Sequence, residues 1–445
     1  MTTGQEAVER STATTGKGQR RSQTRWMMTI LLGIGLIVAY IDRANLSVAI
    51  GDIKGEFGFS TAMQGIILGA WVWTYAAFQL PAGWLADKFG ARFVYAGAMV
   101  WWSIWTAVVA LTRGTASLMG VRLLLGVGEA PLMPTSAKVV SEWFPKKERG
   151  LASGIYGGGS EAGAALAVPF VALLMMVMGW RETFVVCGLI GAAVAVLWVW
   201  LYRRPGQHKW VNKAELDHIR SDSRQEDSIE EKKATIKWYK LFRFRTIWGL
   251  FFGYICRNFL NYFFITWYPT YLVSAEGFST MDLAKYGAIP AFVAIFGDLG
   301  GGAFSDWLAR KNLSLGVARK LPIAIGTLAA GTVGLAAFTD GPMMAIVLLS
   351  IGFAGSSFAS AAIFALPIDV APGAGNVSTI YAIQNTGSQI GGLLSPIVIG
   401  FLVAATGSFR IPLVLMTALC VAAVCVYLFV VRVEPLKLKP TASDA

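Results

Sequence analysis

Gly83-Trp84-Leu85-Ala86-Asp87-Lys88-Phe89-Gly90-Ala91-Arg92 closes one apolar segment, and Gly302-Ala303-Phe304-Ser305-Asp306-Trp307-Leu308-Ala309-Arg310 closes another in the second half of the chain. Each puts a Gly, then an Asp four residues on, then a basic residue, in what reads as a tight loop between two spans. The Gly allows close helix approach, the Asp caps or pairs at a helix end, and the Arg bridges to a neighbour. One copy alone is an ordinary charged turn. Two copies in matching positions mark a repeat of half the chain.

Working outward from the first copy, apolar segments recur at about 27–50, 62–86, 93–112, 116–138, 150–175 and 183–202. Around the second they recur at about 246–273, 282–307, 319–339, 343–368, 376–404 and 409–432. Each is long enough to span a bilayer, and spans this closely spaced must be helices, because lipid cannot satisfy free backbone groups. The expected fold is therefore an all-α membrane protein of twelve transmembrane helices in two six-helix halves. Its parts are a disordered cytoplasmic tail (1–26), an N-terminal bundle (27–202), a polar linker (203–244), a C-terminal bundle (245–432) and a short cytoplasmic tail (433–445). The linker mixes both charges with a basic excess and has room for one short surface helix.

Composition agrees. Of 445 residues, 55% are hydrophobic and only 14% charged, against roughly a quarter charged in soluble proteins. A soluble enzyme, a secreted disulfide scaffold and a disordered chain are excluded. The net charge of +12 is not a nucleic-acid signal, because Lys and Arg concentrate in alternate connections, as positive-inside topology requires. That places both termini in the cytoplasm and the lipid bilayer around the spans. Cys187, Cys256, Cys420 and Cys425 sit in apolar runs at no paired spacing, and His208 and His218 lie in the linker. Neither a disulfide framework, a metal site nor a catalytic triad is legible.

Ionisable groups inside apolar spans cost a few kcal/mol each and are functional candidates by default. The first span carries Asp42 and Arg43, which as neighbours point about 100° apart. One can face a central cavity and the other a neighbouring helix, or the two form a self-neutralising pair near the membrane edge. Arg122 and Glu129, seven residues apart, share one face of the fourth span, as a cavity network or as a structural ion pair. Pro131 and Pro134 loosen the helix just beyond. Tyr75, Gln384 and Asn385 are polar groups within apolar helices and need partners. The small-residue spacings around Gly154–Gly163 and Gly387–Gly391 read as packing faces. Trp71, Trp73, Trp101, Trp102 and Trp105 read as interface and packing residues.

Asp42-Arg43-Ala44-Asn45, Gly128-Glu129-Ala130-Pro131, Glu142-Trp143-Phe144-Pro145 followed by Glu148-Arg149, and Thr266-Trp267-Tyr268-Pro269 together resemble the anion:cation symporter family of the major facilitator superfamily. The likeness covers about residues 25–435 and is greatest to the family's bacterial sugar-acid proton symporters. The paired Gly–Asp–Arg stretches match that superfamily's loop signature. The resemblance implies alternating access and proton-coupled uptake of an organic anion, a sugar acid first. Uptake or exchange of a dicarboxylate or aromatic carboxylate, or a transporter-like receptor, are the alternatives. The expected setting is a bacterial inner membrane and the expected state a monomer. Protons are the coupling ion and no cofactor is expected.

It also implies roles for residues. Arg43 matches a substrate-carboxylate arginine, Asp42 and Glu129 match proton-carrying acids, and Arg122 matches an arginine near them. Tyr75, Asn261 and Asn385 match cavity positions. Ser160 stands where these relatives have Gln, with Glu161 beside it, and Ala361, Ile363 and Phe364 replace a polar stretch of the tenth span. Gly83, Asp87, Arg92, Gly302, Asp306 and Arg310 belong to the gating loops. Arg257 has no counterpart in that pattern. One turn before Asn261, it can offer a second substrate carboxylate a bidentate fork, pair with Glu161 or Asp298, or snorkel to the interface. Glu161 and Asp298 are open between structural pairing and the proton path.

Overall fold

The computed structural model describes residues 21–221, 238–311, 313–339, 341–371 and 377–436, and among the described residues there is no β-strand. Helix α1 is Thr24–Phe57, α2 is Thr61–Phe89 and α3 is Ala91–Val108. Helix α4, Thr115–Glu129, halts at Ala130-Pro131 and resumes as Leu132–Trp143. The run Lys146–Leu201 is two crossings, α5 (146–178) and α6 (180–201), parted where Gly179 takes φ 83°. Helix α7 is Arg245–Thr266, extended by Tyr268–Ser274, and Thr280–Tyr286 leads into α8, Ile289–Arg310. Helices α9 to α12 are Leu315–Ala330, Pro342–Val370, Val377–Thr406 and Arg410–Cys425.

Nine stretches among the described residues are long and apolar enough to cross a membrane. Leu151–Leu201 counts once among them and crosses twice, and the 29-residue α2 and 22-residue α7 complete the twelve. Matching pairings recur in the two halves, α1 with α5, α2 with α4 and α3 with α6, then α7 with α11, α8 with α10 and α9 with α12, although α9 packs more extensively on α10 than on α12. Backbone meets backbone at these pairings. A Cβ on Gly163 of α5 would lie 3.0 Å from the Ile37 Cα of α1, and one on Gly391 of α11 would run into the Ile255 carbonyl of α7. The chain is thus two bundles of matching architecture.

The bundles touch at the end away from the linker. There Gly65 and Gly69 of α2 lie against Pro396 and Gly400 of α11, Gly287 lies against Val168 of α5, and the Gln64 amide donates to the Thr270 hydroxyl at 3.2 Å. One apolar core runs through both halves at that end, joining Leu46 and Ile50 to Phe263 and Trp267. Toward the linker the cores separate, one around Trp102 and Trp198 of the first half that Tyr262 of the second joins, and one around Ile363 and Tyr427 of the second.

Two expectations from sequence are corrected. Gly83 and Asp87 lie in the last turns of α2, and Gly302, Asp306 and Arg310 lie within α8, not in loops. The Leu-Ala-rich stretches between them are good helix formers, and α2 ends only at Gly90, where φ is 82° and the N–H still reaches the Ala86 carbonyl at 3.0 Å. Arg92 opens α3 and donates to the Val199 carbonyl at 2.8 Å, while the Asp87 and Asp306 side chains lie outside the described residues. The expected tail to residue 26 is also too long. Helix α1 starts at Thr24, and Arg25 is buried against Glu215 (3.1 Å) and Glu148 (2.9 Å).

Candidate substrate and ion site

Arg43 stands midway along α1 and points inward. Its Nε donates to Glu129 Oε2 at 2.8 Å, with 10% and 0% of the two side chains exposed. The guanidinium also lies over three rings, Trp71 at 4.6 Å, Tyr40 at 5.1 Å and Tyr75 at 5.5 Å. Tyr40 precedes Arg43 by three residues, and Trp71 and Tyr75 are four apart, so each pair shares a helix face. Desolvated cation–π contacts are worth about 2 kcal/mol, and the aromatic wall holds the guanidinium without cancelling its charge. Trp71 also stacks on Tyr262 of α7, centroids 6.3 Å apart, so this wall bridges the two halves. The α4 break at Ala130-Pro131 follows Glu129 directly and leaves the acid on the last helical turn.

Asp42 turns the other way and is 1% exposed; the Thr106 hydroxyl lies beside it, and among the described residues neither carboxylate oxygen has a hydrogen-bond partner within 3.5 Å. It interacts electrostatically with Glu129 and with Arg122, itself 1% exposed with Nε and Nη1 unpartnered among the described residues. Four ionisable groups from α1 and α4 therefore form one buried network, and only the Arg43–Glu129 link is a direct ion pair. Buried polar atoms without partners are expensive, so such a cluster marks a working site more readily than a structural one.

The second half presents its own arginine. Arg257 of α7 is 8% exposed. Its Nε and Nη2 donate to the Ser356 carbonyl at 3.4 Å, Nη2 also reaches the Ser360 hydroxyl, and Nη1 reaches Asn258 Oδ1 at 3.5 Å. The Tyr254 ring lies 5.6 Å beneath it. All these partners are neutral. Glu161 of α5 and Asp298 of α8 interact with Arg257 electrostatically, yet no ion pair within 4 Å joins them to it among the described residues. Asn261 accepts from the Ser356 hydroxyl at 2.9 Å and donates to Asn258 at 3.5 Å, and Asn258 also donates to the Ser388 hydroxyl. The snorkelling reading of Arg257 is excluded by its burial.

Other expected residues fall into place unevenly. Ser160 lies beside Tyr40, and Asn385 is half-buried with no hydrogen-bond partner among the described residues. Gln384 is not brought into the cavity group: it is 1% exposed and its amide donates to the Ile363 carbonyl of α10 at 3.3 Å. Tyr40, Tyr254, Tyr262, Asn258, Ser356 and Ser360 escaped the sequence reading, and Trp71, expected only to pack, lies against the Arg43 guanidinium. Two signals could have found several of them. Tyr40-x-x-Arg43 on α1 and Tyr254-x-x-Arg257 on α7 share one spacing, and Ser356 and Ser360 are spaced to share a face.

Outside the membrane, Glu148 at the mouth of α5 accepts from Arg25 and contacts the His218 ring at 2.7 Å. Burial alone would raise its carboxyl, but the bonds from His218 and Arg25 prevail and hold it below the ordinary range. His218 lies on Lys213–Ile219, whose buried Glu215 receives the Thr24 and Arg25 backbone N–H groups. This part of the linker is thereby fastened to the first half.

Residues 32–383 match the family model of the Major Facilitator Superfamily. The chain is 34% identical to the probable galactarate/D-glucarate transporter GarP of Escherichia coli (strain K12), covering 92% of this chain and 95% of that one. It is 33% identical to the D-galactonate transporter of Escherichia coli O6:H1, again over 92% and 95%. Among solved structures, a bacterial homolog of the human lysosomal transporter Spinster superposes with a TM-score of 0.74 at 21% identity, over 92% of this chain and 98% of that one.

Proposed function

The chain belongs to the Major Facilitator Superfamily and is a membrane transporter, not an enzyme; on that premise we propose that it carries a sugar acid (a hexonate, hexuronate or aldarate) together with protons, by alternating access. The names of the relatives support the substrate class. The observation that carries the mechanism is the Arg43–Glu129 pair, a cation on an aromatic wall held by an acid from another helix.

Without substrate, Glu129 neutralises Arg43. A substrate carboxylate arriving at Arg43 competes for the same donor through charge-assisted hydrogen bonds. Glu129, displaced in a dry pocket, is neutralised by a proton, since an unpaired buried carboxylate is too costly to keep. Substrate and proton therefore bind together, and the coupling is reciprocal. Asp42, beside Arg122 and Thr106 and in no ion pair among the described residues, is the second proton carrier. Arg257 takes a second carboxylate, which favours an aldarate within the class. Ser160, Tyr75, Asn261 and Asn385 supply hydroxyl and amide contacts, and Glu161 and Asp298 lie on the proton path.

The loaded centre is close to neutral and lets the halves rock about it. The Gly83–Arg92 and Gly302–Arg310 helix ends meet when the linker side closes. The basic excess of that side supports a bacterial inner-membrane orientation with cytoplasmic termini. The transporter works as a monomer with no cofactor beyond the proton.

The test is uptake of D-glucarate, D-galactarate and D-galactonate by proteoliposomes under an imposed proton gradient, with internal pH followed. Substrate-dependent proton entry is expected. Accumulation without proton entry overturns the coupling, and no uptake of any of the three overturns the substrate class.

A further inference from the structure

At the end away from the linker, a cavity of about 460 Å³ opens between the two halves above their contact. Its walls include Lys54 from α1 and Arg410 from the first turn of α12, one cation from each half. Lys54 donates to the Thr61 hydroxyl at 2.8 Å, and neither it nor Arg410 has an ion-pair partner among the described residues. The one acid in the lining, Glu276, accepts from the Tyr271 hydroxyl at 2.6 Å. Gln64 and Thr270 also line the cavity, and their 3.2 Å bond crosses from one half to the other.

Lys54 is eleven residues beyond Arg43. Eleven residues of α-helix turn through three revolutions plus about 20° and rise about 16.5 Å, so the two cations share one face of α1 at two depths. An anion leaving Lys54 toward the membrane centre travels along that face, and the Gln64–Thr270 bond lies at the contact it must pass.

We propose that this vestibule is a capture site for the carboxylate anion, with Lys54 and Arg410 holding it outside the closed contact until the halves part and Arg43 is exposed. The inference rests on the transport reading. Two cations from separate bundles, Lys54 half-buried and Arg410 exposed, act by raising the local anion concentration and the rate of encounter, an effect that salt suppresses.

The test measures D-glucarate uptake by proteoliposomes at about 20 mM and about 500 mM ionic strength. Lys54→Gln/Arg410→Gln is expected to raise KM about fivefold to tenfold at low salt and less than twofold at high salt, with maximal rate held within twofold. An unchanged KM at low salt overturns the proposal, as does a fall in maximal rate at constant KM. A second measurement needs no transport. Ser274→Cys places a thiol in the exposed lining, and its labelling by a membrane-impermeant methanethiosulfonate is followed with D-glucarate or uncharged D-glucitol present. Slowing by glucarate alone, abolished by the double substitution, supports capture. Equal labelling with both solutes, or protection that survives the double substitution, overturns it. Labelling thus decides the vestibule even if uptake of every carboxylate fails, which would count against the substrate class alone.

Discussion

Arg43 and Arg257 occupy equivalent helices of the two halves, α1 and α7, each with a tyrosine three residues before it and its ring 5.1 or 5.6 Å below the guanidinium. Their other partners differ in kind. Arg43 is paired at 2.8 Å with the carboxylate of Glu129, whereas Arg257 rests on serine and asparagine oxygens. A cation paired with an internal acid can exchange that acid for a ligand and so couple binding to a proton. A cation held by neutral acceptors keeps its charge and offers it to a ligand with no proton exchanged. Duplicated architecture has thus left two arginines in one membrane interior with separate chemistry.

The largest effect expected from this contrast is at Arg43. Arg43→Gln should reduce uptake at least a hundredfold and cost about 3 kcal/mol of stability, because Glu129 loses its direct ion pair and keeps only the more distant charge of Arg122. Arg43→Gln/Glu129→Gln should regain most of that stability in a thermal-unfolding assay while uptake stays absent. Recovery of uptake in the double variant would break the contrast outright.

Next in size, Glu129→Gln should abolish accumulation up a proton gradient yet retain substrate counterflow. Gradient-driven accumulation by this variant at the wild-type level would move coupling elsewhere. Arg257→Gln sharpens the other side: KM for an aldarate should rise at least tenfold, and KM for a hexonate with its single carboxylate less than threefold. Equal rises for both would remove the second-carboxylate role.

The smallest effect lies at the linker. Because the Glu148 carboxyl is held below its ordinary value of 4.5, its contribution to stability is present above that value and is lost as pH falls through the depressed one. Glu148→Gln should lower stability by about 1 kcal/mol at neutral pH, and the gap to wild type should close as the pH falls through the depressed value. A gap that widens on acidification would reverse the assignment.

Much of this was legible before any coordinates. Buried charges in apolar helices announced Asp42, Arg43, Arg122, Glu129 and Arg257, because the cost of placing them there depends only on local composition. Gln384 shows the limit of that rule. It is as polar and as buried as a ligand residue, but its amide is used by the Ile363 carbonyl, and no local signal says which way a helix is turned. The Gly–Asp–Arg stretches were likewise found correctly and placed in the wrong local structure, since their repeat marks a position in the fold while helix propensity decides the backbone.

What the sequence by itself determined was the number of crossings, their grouping into two halves and the small set of charges those crossings bury. Span length, apolar content and charge asymmetry are one-dimensional quantities, and a bilayer reads them directly. Only the tertiary structure decided that Arg43 pairs with an acid 86 positions away while Arg257 forms no ion pair within 4 Å among the described residues. The identity of a partner depends on how separate helices rotate and approach, and small residues such as Gly163 and Gly391 set that approach through contacts across the bundle.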